Sequence, residues 1–140
     1  MNEHQSNAEP VADVEMRIVA LPWHLSAVRA VAADLAMRAD FDLDAISDLR
    51  MAVDEACSAL ISRAVEGEVL VCRFDVRPEQ IHFSAQVPTT STAAPSRESF
   101  GWRVLTALAD SVNTWVTTGE SAHHVLRVDL VKKRLGKVPQ

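Results

Sequence analysis

Glycine is scarce in this 140-residue chain. The four glycines are Gly67, Gly101, Gly119 and Gly136, and no two of them lie close together. Loops that wrap phosphate groups with backbone N–H groups usually need several neighbouring glycines, because glycine readily adopts positive φ and lets the backbone approach a ligand. The motifs Gly-x-Gly-x-x-Gly and Gly-x-x-x-x-Gly-Lys-[Ser/Thr] are both absent. The sequence therefore excludes a phosphate site with the usual glycine support.

Long apolar runs and closely spaced cysteines are also absent. No apolar run approaches the roughly twenty residues that a membrane-spanning helix needs. The first residues are polar and acidic, unlike a signal peptide, which predicts a cytoplasmic protein. Cys57 and Cys72 form no Cys-x-x-Cys motif. In a reducing compartment we expect them to be buried small apolar residues and not a disulfide or metal pair.

Basic charge is confined largely to one end of the chain. The formal net charge is −5, with 14 basic and 19 acidic side chains. Four basic residues and no acid lie in 132–140, so residues 1–131 carry a net charge of −9. This distribution argues against nucleic-acid binding, which needs clustered lysine and arginine. An acidic body suits a basic protein partner, although the same charge also simply keeps a protein soluble.

Hydrophobic periodicity divides the chain into eight elements. Strands are predicted over 13–21, 68–76, 81–87, 112–118 and 121–132, and helices over 26–38 (or from His24), 43–65 and 98–110. A loop rich in threonine, serine, alanine and proline covers 88–97. The order predicts one α+β domain over 13–133, with helices on one face of a mixed, mostly antiparallel sheet. Residues 1–12 are predicted to be a flexible tail, and 134–140 a basic tail.

Two segments resemble a known family. Residues 48–61 (DLRMAVDEACSALI) resemble the long helix of GHKL ATPases of the RsbW/SpoIIAB type, which are bacterial anti-sigma factors and also serine kinases. Residues 99–110 (SFGWRVLTALAD) resemble the start and body of the third helix of that family. The resemblance covers residues 13–133 and is greatest to the mycobacterial anti-sigma-F branch. It implies the Bergerat-type (GHKL) fold, a two-layer sandwich.

The long helix of this family carries the motif Glu-x-x-x-Asn. The resemblance implies that the glutamate activates the nucleophile and that the asparagine holds magnesium on the phosphates of ATP. Here Glu55 matches the glutamate, but Ala59 stands at the asparagine position, and a methyl group cannot bind a metal. Ser58 is adjacent but points about 100° away around the helix. Glu55 is then a vestigial base, or simply an exposed carboxylate.

The two other ATP-binding segments of the family are also altered here. At the position of Asp-x-Gly-x-Gly, which contacts adenine, this chain has Gln86-Val-Pro-Thr-Thr-Ser. At the start of the third helix Ser99 replaces a glycine, whereas Gly101 remains. Arg97 and Arg103 are possible phosphate contacts, or are solvated or paired with nearby acids. The candidate nucleotide-binding residues are Glu55, Ser58, Ala59, Gln86, Arg97, Gly101 and Arg103.

These losses predict a degenerate ATP site. Losing a magnesium ligand and an adenine contact costs about 2–4 kcal/mol each in binding. Together they weaken binding by roughly a thousandfold or more. We therefore expect no required cofactor, doubtful ATP and magnesium binding, and lost or weak kinase activity. His123 and His124 fall in a predicted strand and point to opposite faces, so no metal site is predicted.

The resemblance implies an anti-sigma factor in a stress response. It would hold a sigma factor of the SigF/SigB class away from RNA polymerase, form a homodimer, and be released by a STAS-type anti-anti-sigma protein through partner exchange. The expected contact surface comprises the first strand, the first helix and the loop after it, with Trp23, Arg29, Asp40, Phe41 and Asp42. Two alternatives remain: an active ATP-dependent serine-protein kinase acting on the anti-anti-sigma partner, and a degenerate module that binds a small molecule.

Overall fold

The computed structural model describes residues 12–118 and 123–134, so most of both predicted tails lies outside the described residues. All eight predicted elements are present. The strands are β1 (Val14–Val19), β2 (Val69–Val76), β3 (Gln80–Thr89), β4 (Ser111–Thr118) and β5 (His124–Lys133). The helices are α1 (Leu25–Arg38), α2 (Leu43–Ile61) and α3 (Phe100–Leu108), with a short 3-10 turn over Pro22–His24 before α1. No helix in these ranges is both long and apolar enough to cross a bilayer.

The five strands form one sheet in the order β1-β2-β3-β5-β4. Each neighbouring pair is antiparallel, so the described strands contain no parallel pairing of the kind that a mixed sheet would have. β2 and β3 form a hairpin, and β4 pairs with β5. The helices lie together on one face, with α2 packed between α1 and α3 and against the central strands. The α+β prediction is confirmed.

The core lies between α2 and the inner face of the sheet. The inward residues of α2 recur at helical spacing and are fully buried: Leu49, Val53, Ala56, Cys57 and Leu60. Every second residue of β3 is buried, as expected for a strand with one covered face. Phe74 and Phe83 lie opposite each other on β2 and β3, with ring centroids 4.9 Å apart. This tilted contact is favourable for aromatic rings.

The helix α2 ends at Ile61, four residues earlier than predicted. The following segment bonds to the end of β3 and does not continue the helix. The Val65 N–H donates to the Pro88 carbonyl at 2.9 Å, and the Thr89 hydroxyl donates to the Arg63 carbonyl at 2.7 Å. The same bonds explain why β3 extends to Thr89, although Pro88 was predicted to begin a loop. Sheet pairing here overrides a local helical pattern.

The turn between α1 and α2 contains the cap of α2. Asp42 caps α2, since its carboxylate accepts a hydrogen bond from the Ala45 N–H at 2.8 Å. Asp40 has a φ of 66°, a left-handed conformation that aspartate and asparagine tolerate better than most residues. Gly67 has a φ of 82° in the turn before β2, a conformation that glycine adopts readily; it lies beyond the Ser62 cap of α2.

Candidate functional site

A cavity of about 320 Å³ opens between α2, α3 and the sheet. Four residues that the sequence singled out line it: Glu55, Ser58, Ala59 and Gly101. The other lining residues are Ser62, Arg63, Pro95, Ser99, Trp102, Leu105, Thr114 and Val128. The long helix and the third helix therefore meet where the resemblance implies a nucleotide site. Ser62 and Arg63 follow Glu55 at helical spacings of seven and eight, a signal that could have identified them.

The inner part of this cavity is apolar or internally satisfied. Leu105 and Val128 are buried, and the hydroxyl of buried Thr114 donates to the Arg127 carbonyl at 2.8 Å. Throughout residues 12–118 and 123–134, no buried side-chain nitrogen or oxygen lacks a hydrogen-bond partner. The buried polar groups at this site therefore already have hydrogen-bond partners within the protein. Thr114 and Val128 come from paired strands, so no local sequence pattern links them to Glu55.

Glu55 lies directly against the first turn of α3. A Cβ atom placed on Gly101 would be 2.6 Å from the Glu55 Oε2 atom, so only glycine leaves room for the carboxylate in this position. Ser99 caps the same helix, its hydroxyl oxygen accepting from the Trp102 N–H at 3.2 Å. A carboxylate is favourable near the positive end of a helix. Glycine at position 101 therefore allows the Glu55 carboxylate to lie against this helix turn.

The two candidate phosphate-binding arginines do not line this cavity. The Arg97 guanidinium stacks 4.8 Å from the centroid of the Trp102 ring, and its Nη2 donates to the Asn113 Oδ1 at 3.1 Å. It therefore joins the loop before α3 to the start of β4. Arg103 is exposed on α3. Among the acids near these arginines, Asp110 accepts from the Lys133 N–H at 2.7 Å.

Gln86 lies on the opposite face of the sheet. Its neighbours Ala85 and Val87 are buried beneath the helices, and successive side chains of a strand point to opposite faces. Gln86 lines a separate cavity of about 400 Å³ with Trp115 and Arg127. The expectation that Gln86 faces the same site as Glu55 is therefore not met. The resemblance placed the adenine-binding segment near Gln86 but could not show which face of the sheet its side chain occupies.

The magnesium and ATP chemistry of the resembled family does not fit the residues present. Magnesium prefers oxygen ligands in octahedral geometry, and Ala59 offers none. Ser58 is exposed and is offset around the helix from Ala59. Among residues 12–118 and 123–134, no group of three or more histidine, cysteine, aspartate or glutamate side chains is arranged to hold a metal ion. We therefore derive no catalytic step through magnesium or ATP.

Trp23 and Arg29 lie at the start of the helix layer. Trp23 is 71% exposed, and its ring centroid lies 5.9 Å from that of His24. The Arg29 guanidinium donates to the Asp54 carboxylate at 2.5 Å, which joins α1 to α2. Trp23 thus presents a large apolar ring to solvent, whereas Arg29 already has a partner within the chain.

The acidic loop between α1 and α2 contains three candidate partner-binding residues, of which two are on the surface and one is in the core. Asp40 and Asp42 are exposed, whereas Phe41 is only 5% exposed and packs in the core. Phe41 therefore anchors the loop from inside and does not offer its ring to a partner in this conformation. Partner contacts at this loop would come from the two carboxylates.

Comparison with known proteins adds two findings. The family profile of the histidine kinase-like ATPase domain matches residues 18–128. The chain is also 38% identical over 107 residues to proteins named anti-sigma-F factor RsbW from two strains of Mycobacterium tuberculosis, CDC 1551 and H37Rv. The match covers 75% of this chain and 62% of each relative. The chain therefore spans about three fifths of the length of the curated relatives it matches.

Proposed function

Because the chain belongs to the histidine kinase-like ATPase family, we propose that it is an anti-sigma factor that acts by binding and not by phosphate transfer. It holds a sigma factor of the SigF/SigB class away from RNA polymerase during a stress response. A STAS-type anti-anti-sigma protein releases the sigma factor by competing for the anti-sigma factor, which is a homodimer. The similarity to proteins named anti-sigma-F factor supports this role.

The observation that carries the proposal is the composition of the cavity beside α2. The family fold and the Glu55 position are retained, but Ala59 lies on the wall where the resembled proteins carry a metal-binding asparagine. Selection for catalysis would preserve that ligand, whereas selection for partner binding requires only the fold and its surface. A scaffold used for binding accounts for both features.

Exposed groups at the two ends of α1 have the chemistry of a protein-binding site. Exposed Trp23 offers the kind of ring that often anchors interfaces, and exposed acidic groups lie in the loop that follows α1. The net charge of −9 over residues 1–131 adds a long-range attraction for a basic partner. A sigma factor with a basic surface would therefore be attracted to this chain.

A tryptophan replacement tests the contact surface. We expect Trp23→Ala to weaken sigma-factor binding by about tenfold or more, measured by fluorescence anisotropy with a labelled sigma factor. Phe100→Ala is the matched control, because Phe100 is 81% exposed but belongs to α3. In run-off transcription, Trp23→Ala should inhibit the sigma factor less than Phe100→Ala or the unmodified protein does. Equal affinity of both variants and the unmodified protein would remove Trp23 from the interface.

A charge replacement tests the acidic loop without disturbing its fold. Asparagine tolerates the positive φ at position 40 and also caps helices, so the double change Asp40→Asn and Asp42→Asn keeps the loop while removing two charges. We expect slower association and a smaller dependence on salt. Glu66→Gln with Glu79→Gln removes the same charge from exposed positions elsewhere. If both double variants behave alike, net charge and not this loop governs binding.

The competing function is an active serine-protein kinase with Glu55 as base. Its supporting observation is that the Glu55 carboxylate lines the cavity beside the first turn of α3. Isothermal titration with magnesium-ATP and magnesium-ADP separates the two functions, and the binding proposal predicts no heat at millimolar nucleotide. Incubation with ATP and the anti-anti-sigma protein should give no phosphoprotein. Micromolar binding with phosphate transfer, abolished by Glu55→Gln, would establish the kinase instead.

A restoration variant makes the nucleotide test sharper. Ala59→Asn returns the missing metal-binding amide to a half-buried position on the cavity wall. Because the adenine contact would still be absent, we expect at most a weak gain in magnesium-dependent nucleotide binding. Ser62→Asn is the control, since it adds an asparagine to the same cavity at a position that does not match the motif. Strong binding by both variants would show that the cavity accepts nucleotide without the family's ligand.

A further inference from the structure

The two cysteines of the chain meet in the core. Cys57 belongs to α2 and Cys72 to β2, and their sulfur atoms lie 3.9 Å apart. Both residues are fully buried, and both are free thiols. The distance is a contact between sulfur atoms and not a covalent bond, which would be about 2.05 Å long. The sequence expectation of buried cysteines is therefore confirmed, but it did not indicate that they touch.

We propose that Cys57 and Cys72 form a reversible disulfide when a peroxide reaches the core, and that this bond locks α2 against β2. The sulfur atoms must approach each other by a little under 2 Å, through side-chain rotation and a small movement of the helix. The bond would be intramolecular because each thiol has the other as its neighbour. This inference does not depend on the identity of any protein partner.

Hydrogen peroxide is the only oxidant that this reaction needs. One cysteine thiolate attacks an oxygen of hydrogen peroxide, which breaks the O–O bond and gives a sulfenic acid and, after proton uptake, water. The second thiol attacks the sulfenic sulfur and expels a second water molecule, which forms the S–S bond. Two thiols and one hydrogen peroxide thus give one disulfide and two molecules of water. A dithiol such as dithiothreitol reverses the reaction by exchange.

Burial sets the rate of this reaction. The hydrogen bond to Cys72 and burial in the core both raise the pKa of the Cys57 thiol well above its usual range. The reactive thiolate is therefore rare at neutral pH, and the reaction depends on transient opening of the contact between α2 and β2. We expect slow oxidation that becomes faster under mild destabilisation of the fold. Such a lock responds to sustained oxidation and not to a brief exposure.

The position of Cys57 connects the lock to the cavity described above. Glu55, Ser58 and Ala59 flank it on α2 and line that cavity, and Asp54 on the same turn bonds to Arg29 of α1. A movement of α2 toward the sheet would shift both groups of contacts. The disulfide would also close the loop that joins α2 to β2, which restricts the unfolded chain and stabilises the folded state.

The test uses the full chain with hydrogen peroxide as the probe. After prolonged exposure we expect a monomer-sized band without reductant and a protease fragment that links Cys57 to Cys72 and is two hydrogens lighter than its two separate peptides. Dithiothreitol should restore both thiols. The oxidised protein should unfold at a higher urea concentration than the reduced protein. Cys57→Ala and Cys72→Ala each supply a control that has one thiol and should show none of these changes.

Three results would overturn the proposal. Both thiols could remain free in the folded protein under conditions that oxidise the urea-unfolded chain. The cysteines could instead link two copies of the chain, or gain oxygen to give a sulfinic acid without an S–S bond. An internal disulfide that lowers the urea midpoint would show that the bond distorts the fold and does not lock it. The thiol count and the masses of the fragments that contain Cys57 and Cys72 separate these results even if one alanine variant does not fold.

Discussion

Replacing Gly101 with alanine tests the contact between Glu55 and α3. Gly101 lies in the helix without a positive φ, so alanine imposes no backbone strain there. Alanine stabilises a helix interior by up to about 1 kcal/mol relative to glycine, and somewhat less in the first turn. Against this gain, the new Cβ would lie 2.6 Å from the Glu55 Oε2 and would have to displace the carboxylate. The end of a glutamate side chain can rotate away at small cost.

We therefore expect Gly101→Ala to change the free energy of unfolding by less than about 1 kcal/mol, because gain and displacement oppose each other. In a Glu55→Ala background the clash is absent, and the same change should stabilise the protein more. The difference between the two backgrounds measures the contact, and neighbouring residues typically couple by at least about 0.5 kcal/mol. Urea denaturation followed by circular dichroism gives all four values.

Gly67 provides the matched control. Its φ is 82°, but a Cβ there would meet nothing within 4 Å. Gly67→Ala should therefore destabilise the protein by about 1–2 kcal/mol through backbone strain, with no dependence on Glu55. If Gly101→Ala has the same effect with and without Glu55, the carboxylate does not contact this helix turn. A loss much larger than that of Gly67→Ala would place the restriction in the backbone and refute the argument.

Other replacements test single features of the fold. Phe41→Ala should cost about 3–5 kcal/mol in unfolding free energy, because it leaves a cavity beneath the acidic loop; a loss below about 1 kcal/mol would contradict its buried position. Asp42→Ala should cost about 1 kcal/mol through loss of the α2 cap, whereas Asp42→Asn should be nearly neutral. Hydrogen bonds from Arg73, and then from Arg17, hold the pKa of Glu15 below its usual 4.5. The ionised Glu15 therefore stabilises the folded protein above about pH 4.5, and this stability is lost as the pH falls through the lowered pKa. Glu15→Gln should therefore be less stable than the unmodified protein near neutral pH and equally stable in strong acid. A constant difference in urea midpoint between the two proteins across the pH range would contradict this.

Much of the candidate site could be predicted from local patterns. The spacing of residues 55, 58 and 59 places them along a common stretch of one helix, and the glycine at position 101 marks the third helix. Both segments meet in one cavity, as the resemblance to the family implied. The resemblance misled at Gln86, because pairing of β3 in the sheet decides which way that side chain points. It also gave no indication of Thr114, whose strand joins the cavity only through long-range pairing.

The sequence by itself determined the elements, the buried stripe of α2 and an alanine at position 59, whose methyl group cannot bind a metal. These properties follow from periodicity and side-chain chemistry, which act within a few residues. Only the tertiary structure decided that Phe41 is an internal anchor, that Arg97 stacks on Trp102, and that Cys57 touches Cys72. Each depends on where separate elements pack against one another. Local periodicity determines which face of an element is buried, but long-range pairing and packing determine which residues that face contacts.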